Sequence, residues 1–445
     1  MRNPAFLSLL ARSFLAGEAT VDQIVARCIP PSDRPPWRWL RPLAKKFVKR
    51  FGAGARPREQ EVIEFLRRNP GVRHVSRVYG KKWSIAKWLN EPQRMQPVAA
   101  ARGWNLLSIE SVSALAQWFD LSVEELEWFA DLKGLNHRSA SPQLTHYKYR
   151  VLTKSSGTIR LIEAPKSRLK KFQQQILSSI LDKVPPHPSV HGFVKGRSIK
   201  SSVESHVAQR VILRMDLQDF FPSFSARRVQ TMFRTLGYPE RVADLLGGIC
   251  TNFTPQAIWS REGFDPPLAL QVRQWARDLY CRPHLPQGAP TSPAIANVCF
   301  YRVDCRLAGL AAASGATYTR YADDLAFSGD RSFERGVERF STHVAATLLE
   351  EGFHVNHRKT RIMRQAVRQH VVGLVANRHT NVIRADFDRL KATLTNCVRF
   401  NPESQNRNHH PQFRAHLEGR VAFVESINPA RGGKLRNILD RILWT

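Results

Sequence analysis

The alternation of apolar and polar positions changes character near residue 147. Upstream, residues 108–131 (SIESVSALAQWFDLSVEELEWFAD) space their apolar residues helically and predict two helices. Ser122 with Glu125 forms a capping box for the second, and Leu121, Leu126 and Phe129 form its apolar face. This pair reads as a packing element without chemistry. Residues 135–144 (LNHRSASPQL) have the composition of a linker. Downstream, residues 147–165 (YKYRVLTKSSGTIRLIEAP) predict two strands joined by a turn from Lys154 to Gly157. A helix follows over 167–184. Residues 211–224 (VILRMDLQDFFPSF) start as a buried strand and end on an acidic, aromatic turn. Residues 318–328 (YTRYADDLAFS) start and end as strand, with two acids at the centre, and 370–377 (HVVGLVAN) predict another short strand. The tail from 384 alternates basic helical stretches with a Pro-Gly break at NPARGGKL. Strands separated by long helical spans predict a mixed α+β domain with helical attachments before and after it. The chain has no internal repeat or low-complexity segment.

Charge narrows the choice of partner. The chain has 445 residues, enough for two or three domains, and 68 Lys and Arg against 37 Asp and Glu give a formal charge of +31. Such a field attracts a polyanion, and nucleic acid is the natural candidate. Membrane phospholipid is the rival, but no apolar run approaches the ~18 residues of a spanning helix. The N-terminal stretch is broken by Arg12 and makes a poor signal peptide, so a cytoplasmic location is expected. The first 100 residues hold 20 Lys or Arg against 7 Asp or Glu. Within them Trp37 and Trp39 interleave with Arg34, Arg38 and Arg41, and Lys45, Lys46, Lys49 and Arg50 follow. Aromatics among cations suit base stacking beside phosphate contacts; an ordinary amphipathic helix with a solvated basic face is the competing reading. The six cysteines form no C-x-x-C pair and no His cluster completes a metal pattern, so neither zinc nor a disulfide is expected.

Asp323 and Asp324 are adjacent acids flanked by apolar and small residues. An exposed hairpin tip would tolerate them. A second acid, Asp216, follows the apolar run Val211 to Leu213 and should end a buried strand. If the two strands are neighbours, three carboxylates converge, which is tolerable around divalent cations. Two Mg2+ ions there can activate a hydroxyl and stabilise a leaving oxygen in phosphoryl transfer.

With these residues in view, the chain resembles the reverse transcriptases, and within them the bacterial retron-type enzymes. The resemblance covers roughly residues 145–445. It rests on an ordered set: SGTIRLIEAP, HGFVKGRSI, RMDLQDFFPSF, LPQGAPTSPAIAN, YTRYADDLAFS, NHRKT and VVGLVAN. It implies a right-hand polymerase fold, with a basic helical extension over 1–138, fingers and palm over 139–365 and a thumb over 366–445. It implies Asp216, Asp323 and Asp324 as catalytic metal ligands, joined by the backbone carbonyl of Leu217. Phe221 matches the aromatic under the incoming sugar, where a ring clashes with a 2′-hydroxyl. Gln287 resembles the residue at the nucleotide's sugar and base. Arg160 resembles the arginine that clamps the triphosphate, and Lys359 the lysine that protonates departing pyrophosphate. Nucleic-acid contacts are implied for Lys195, Arg197, Tyr321 and His206.

The pattern also departs from the family. Retron enzymes carry an Asn-Ala-x-x-His element, where Ser202 to His206 here read SVESH, and a Val-Thr-Gly element, where Val371, Val372 and Gly373 stand here. Both elements are associated with the enzyme's own structured RNA. Two readings therefore stand: a retron enzyme copying a dedicated noncoding RNA into DNA in antiphage defence, and a non-retron defence enzyme with other priming or template. Deoxynucleotides, RNA and the DNA product are the implied partners, with an effector protein as a further candidate. Rival classes are an RNA polymerase of similar fold, which Phe221 opposes, and a catalytically silent RNA-binding protein, which the complete acidic set opposes.

Overall fold

Helices and antiparallel sheets make the protein α+β. The computed structural model describes residues 4–28, 38–52, 57–79, 95–135, 144–153, 159–260 and 270–444. Trp37, the Lys154–Gly157 turn and most of the 135–144 linker lie outside them. The chain divides into two compact units, residues 1–185 with 221–299, and residues 186–220 with 300–445.

In the first unit, five helices (Pro4–Leu15, Val21–Arg27, Leu40–Phe51, Glu59–Arg68 and Pro70–Tyr79) surround a core that includes Leu10, Phe14, Ile24, Phe47 and Leu66. In Leu40–Phe51, burial of Leu40, Leu43, Ala44 and Phe47 follows the helical repeat, so Lys45, Lys46, Lys49 and Arg50 face solvent. Arg58 ties this region to a later helix pair, reaching Gln230 at 2.5 Å and Asp244 at 3.1 Å. The predicted helices Val112–Trp118 and Val123–Ala130 are present, and the latter carries the reciprocal Ser122–Glu125 capping box. Strands β1 (Tyr147–Thr153) and β2 (Ile159–Pro165) pair antiparallel. The helix Ser167–Ser179 follows, burying Leu169, Phe172 and Ile176.

The second unit is built on a five-stranded antiparallel sheet of β3 (Val211–Gln218), β4 (Thr317–Tyr321), β5 (Asp324–Gly329), β6 (His354–Val355) and β7 (Arg361–Arg364). β3 is central: β5 lines one edge, while β7 and β6 share the other. Its unbroken apolar start fits burial on both faces, with Val211, Ile212 and Leu213 fully enclosed. The helix Arg331–Glu350 packs on the sheet through Phe333, Val337, Phe340, Val344 and Leu348, and Asp330 caps its first turn.

Two expectations of local structure are corrected. Residues 370–377 form a hairpin, not one strand: β8 (His370–Val371) pairs with β9 (Leu374–Val375) across Val372 and Gly373, both in the left-handed region. β9 pairs in turn with β10 (Asn381–Val382). NPARGGKL does break the helical run, but at Asn428 and Pro429 and not at its glycines. Asn428 caps a helix, Pro429–Leu439, that runs through both, because Pro suits a first turn and Gly432 permits close approach to the preceding helix. A Cβ at Gly432 would lie 2.3 Å from the Cα of Glu425. Three helices thus end the chain (Arg384–Arg399, Phe413–Ile427, Pro429–Leu439), sharing a core with Val371, Leu374 and Ala376.

Candidate active site

The register of β3 against β5 sets Asp216 directly opposite Asp324. Asp323 lies in the two-residue turn between β4 and β5, whose other member, Ala322, has φ +55°. The backbone locks this arrangement. The Leu217 amide donates to the Asp323 carbonyl at 2.9 Å, and the Asn356 amide donates to the Asp216 carbonyl at 2.7 Å. The second contact starts the Asn356–Thr360 turn, which delivers Lys359 to Asp216 with Nζ 2.9 Å from Oδ1.

Asp216 is nearly enclosed, with 7% of its side chain exposed, while the stem and head of Lys359 are half exposed. Burial and the charge of Asp323 push the Asp324 carboxyl up to about 6; Asp216 adds to this, and Arg214 and Lys359 oppose it. Among the described residues, no group of three His, Cys, Asp or Glu side chains is gathered so as to hold a metal ion. The register of β3 and β5 brings the backbones of Asp216 and Asp324 together, and the Asp216 carboxylate pairs with Lys359. The chemistry of the donors fits Mg2+: hard oxygens whose mutual repulsion a divalent cation relieves.

The turn carrying the acids is held from beneath. Arg320 and Asp304 are both fully buried and pair through Nε and Nη2 at 2.8 and 2.7 Å. The third guanidinium nitrogen donates to the Ala322 carbonyl at 3.1 Å, and the Tyr318 hydroxyl donates to Asp304 at 2.8 Å. Residues 189–192 run alongside: the His191 amide donates to the Arg320 carbonyl and the Arg320 amide to the Ser189 carbonyl, each at 2.8 Å. A Cβ at Gly192 would sit 2.6 Å from the Ala322 nitrogen, so only glycine fits that approach.

The remaining expected residues divide. Lys195 is exposed, and Tyr321 is half-buried with its ring 6.1 Å from that of Phe193, itself 56% exposed. Arg197 donates from Nη1 to the carbonyls of His187, Pro188 and Val190. His206 is fully buried between Ser328 Oγ at 2.6 Å and Thr319 Oγ1 at 2.7 Å, and burial pushes its pKa down to about 4. Its expected nucleic-acid contact is thereby corrected: it is a neutral core histidine tying β4 to β5. Arg38, Lys45 and Lys46 are exposed, whereas Trp39 packs partly against the N-terminal core.

Arg160, Phe221 and Gln287 belong to the first unit. Arg160 is on the exposed face of β2, Phe221 is half-buried, and the carbonyl of Gln287 accepts from the Glu163 amide at 2.8 Å. Gly288, with φ +132°, lets this loop lie against β2; a Cβ there would sit 3.0 Å from the Glu163 carbonyl. Arg320, Asp304 and Phe193 escape a motif-based reading. The available signals are a lone arginine in an aromatic strand and a lone acid in a largely apolar helix.

An acid pair thus faces across two antiparallel strands, with a third acid in the adjoining turn, on a basic protein. Residues 152–378 match the reverse transcriptase (RNA-dependent DNA polymerase) family, and the chain belongs to that family. Among its relatives are two from Myxococcus xanthus. Retron Mx65 reverse transcriptase is 41% identical over 295 residues, 66% of this chain and 64% of that protein. Retron Mx162 reverse transcriptase is 36% identical over 346 residues, 75% of this chain and 67% of that protein. Retron Ec86 reverse transcriptase from Escherichia coli is 31% identical over 253 residues, 56% of this chain and 69% of that protein. The chain thus spans about two-thirds of the length of these relatives, and it is of the retron type. Among the described residues no helix is long and apolar enough to cross a membrane.

Proposed function

We propose that the protein is an RNA-directed DNA polymerase that copies a dedicated noncoding RNA into DNA, in the cytoplasm and in the service of antiphage defence. The observation that carries this reading is Asp216 opposite Asp324 with Asp323 in the adjoining turn. In this reading residues 139–365 serve as fingers and palm, 366–445 as a thumb and 1–138 as a basic extension. Asp216, Asp323, Asp324 and the Leu217 carbonyl would hold two Mg2+ ions, which when bound supply activation of the primer hydroxyl and charge stabilisation at the transferring phosphate. Lys359, whose Nζ lies 2.9 Å from Asp216 Oδ1, would release that carboxylate and offer its proton to pyrophosphate. Arg160 would clamp the triphosphate, Gln287 would meet the nucleotide, and Phe221 would floor the sugar. Lys195, Tyr321 and the N-terminal Arg38, Lys45 and Lys46 would follow the RNA backbone, and an effector protein is a further partner.

The test is to sequence nucleic acid co-purified with wild type and with the double variant Asp323→Ala, Asp324→Ala. DNA in the wild type alone, complementary to a co-purified RNA, supports the reading and names the template. The same RNA and no DNA in both would sink it in favour of RNA binding. A branched RNA–DNA junction would mark retron priming, and its absence the alternative priming.

Two expected results accompany it. Phe221→Ala should relax the preference for deoxynucleotides over ribonucleotides by about 10- to 100-fold in kcat/KM, a typical range for a steric pocket. RNA affinity should fall by roughly 10³-fold or more between about 50 and 200 mM salt, measured by filter binding, as expected of a protein of charge +31 that tracks phosphates.

A further inference from the structure

Glu163 stands on the inward face of β2, between Leu161 and Pro165, and is fully buried. A carboxylate in that position is costly unless every lone pair is met. Here Oε1 accepts from Asn252 Nδ2 at 2.7 Å and Thr254 Oγ1 at 2.8 Å, and Oε2 faces His284 Nε2 at 2.9 Å. The other imidazole nitrogen, Nδ1, faces the Arg282 carbonyl at 2.6 Å. With Glu163 ionised, both ring nitrogens face oxygen acceptors, an arrangement that the doubly protonated imidazolium satisfies. Burial alone would lower the pKa of His284, but the Glu163 carboxylate reverses this and leaves it raised.

What the pair holds gives it a use. His284 exchanges backbone hydrogen bonds with Asn252, both at 2.9 Å, and Leu285 donates to the Phe224 carbonyl at 3.1 Å. Three residues beyond His284, the Gln287 carbonyl takes the Glu163 amide, and Gly288 lies against the Glu163 carbonyl. Glu163 therefore grips the 284–288 loop twice, by side chain and by backbone. Three residues before it on the same strand, Arg160 points outward. One buried residue links the strand of the expected triphosphate clamp to the loop of the expected nucleotide contact.

We propose that the Glu163–His284 pair is a positioning device for the incoming deoxynucleotide, fixing the Gln287 loop against the Arg160 strand. This rests on the polymerase reading above. The acids at 216, 323 and 324 belong to the other unit, so the effect is expected on nucleotide capture. In Glu163→Gln, which keeps the shape and leaves the imidazolium unpaired, KM for deoxynucleotide should rise about tenfold with kcat changed less than about twofold. Thr254→Val, which removes one neutral partner of the carboxylate, should raise KM by about two- to fivefold. The double variant Glu163→Gln, His284→Gln, whose amides can still hydrogen-bond, should recover part of the loss, the signature of coupling in a double-mutant cycle.

The experiment is steady-state primer extension on an RNA template with each full-length variant, with thermal melting and template affinity measured in parallel. A selective rise in nucleotide KM at unchanged template affinity supports the proposal. Unchanged KM in both single variants with an active wild type overturns it alone. So does a fall in kcat that merely follows the fraction of folded protein. An inactive wild type would instead overturn the polymerase reading and this inference with it.

Discussion

Asparagine in place of Asp323 should lower primer extension by about 10⁴-fold while leaving the protein at least as stable as the wild type. The loss corresponds to about 5.5 kcal/mol of transition-state stabilisation, at about 1.36 kcal/mol per decade. That is the several-kilocalorie scale expected when a divalent ion loses a carboxylate ligand. The stability half of the expectation comes from the acids themselves. Burial and the Asp323 charge hold the Asp324 carboxyl up at about 6, with Asp216 adding to the repulsion. Removing one charge relieves that conflict. The turn survives because Asp323 contributes its backbone carbonyl to the Leu217 amide, a bond that asparagine keeps. Active sites commonly trade stability for function in this way. Extension kinetics and a melting curve on the same preparation check both halves. A variant that loses activity only because it unfolds, or one that retains more than about a tenth of wild-type activity, would sink the metal-ligand assignment.

The acids stood out in the sequence through the company of the ordered motifs, since an exposed hairpin tip accounts for Asp323 and Asp324 taken alone. The apolar run Val211 to Leu213 places Asp216 at the end of a buried strand, which is the one local signal that an acid there needs a partner. The pairing of β3 with β5 was only a condition in that reading, since strand neighbours across more than a hundred residues leave no periodic trace. His206 misled for a related reason. The resemblance implied a nucleic-acid contact for it, and nothing local in the sequence shows that Ser328 and Thr319 stand on either side of it. The hairpin at 370–377 was hidden because Val372 takes φ +47°, a conformation β-branched residues rarely adopt, so nothing announced a turn there. Glycine misled in the opposite direction. Gly432 and Gly433 signal a break by propensity, but close helix packing against Glu425 overrides it. The polar network around Glu163 was invisible because its members come from β2, residues 252–254 and residue 284, with no common spacing.

Arg320 is the residue whose loss should damage the fold most. Its guanidinium and the Asp304 carboxylate are both fully buried, and the Tyr318 hydroxyl and the Ala322 carbonyl complete the set. The cation also lies over the Phe300 ring, 4.6 Å from its centroid. Methionine at 320 fills much of the volume but leaves Asp304 buried with its charge opposed only by a hydroxyl. Breaking a buried pair from one side costs about 3–5 kcal/mol. Asp304→Asn should cost less, since an amide still accepts from the guanidinium. The two variants separate fold from function. Arg320→Met also removes the donor to the Ala322 carbonyl, so the left-handed turn before Asp323 loses its support from beneath. Activity should therefore fall at temperatures where the protein is still folded, and fall further than in Asp304→Asn at equal folded fraction. Denaturant unfolding sets the folded fraction, and extension at several temperatures below the midpoint reads the rest. Equal activity per folded molecule in both variants would mean that the pair stabilises the sheet and does nothing for the turn.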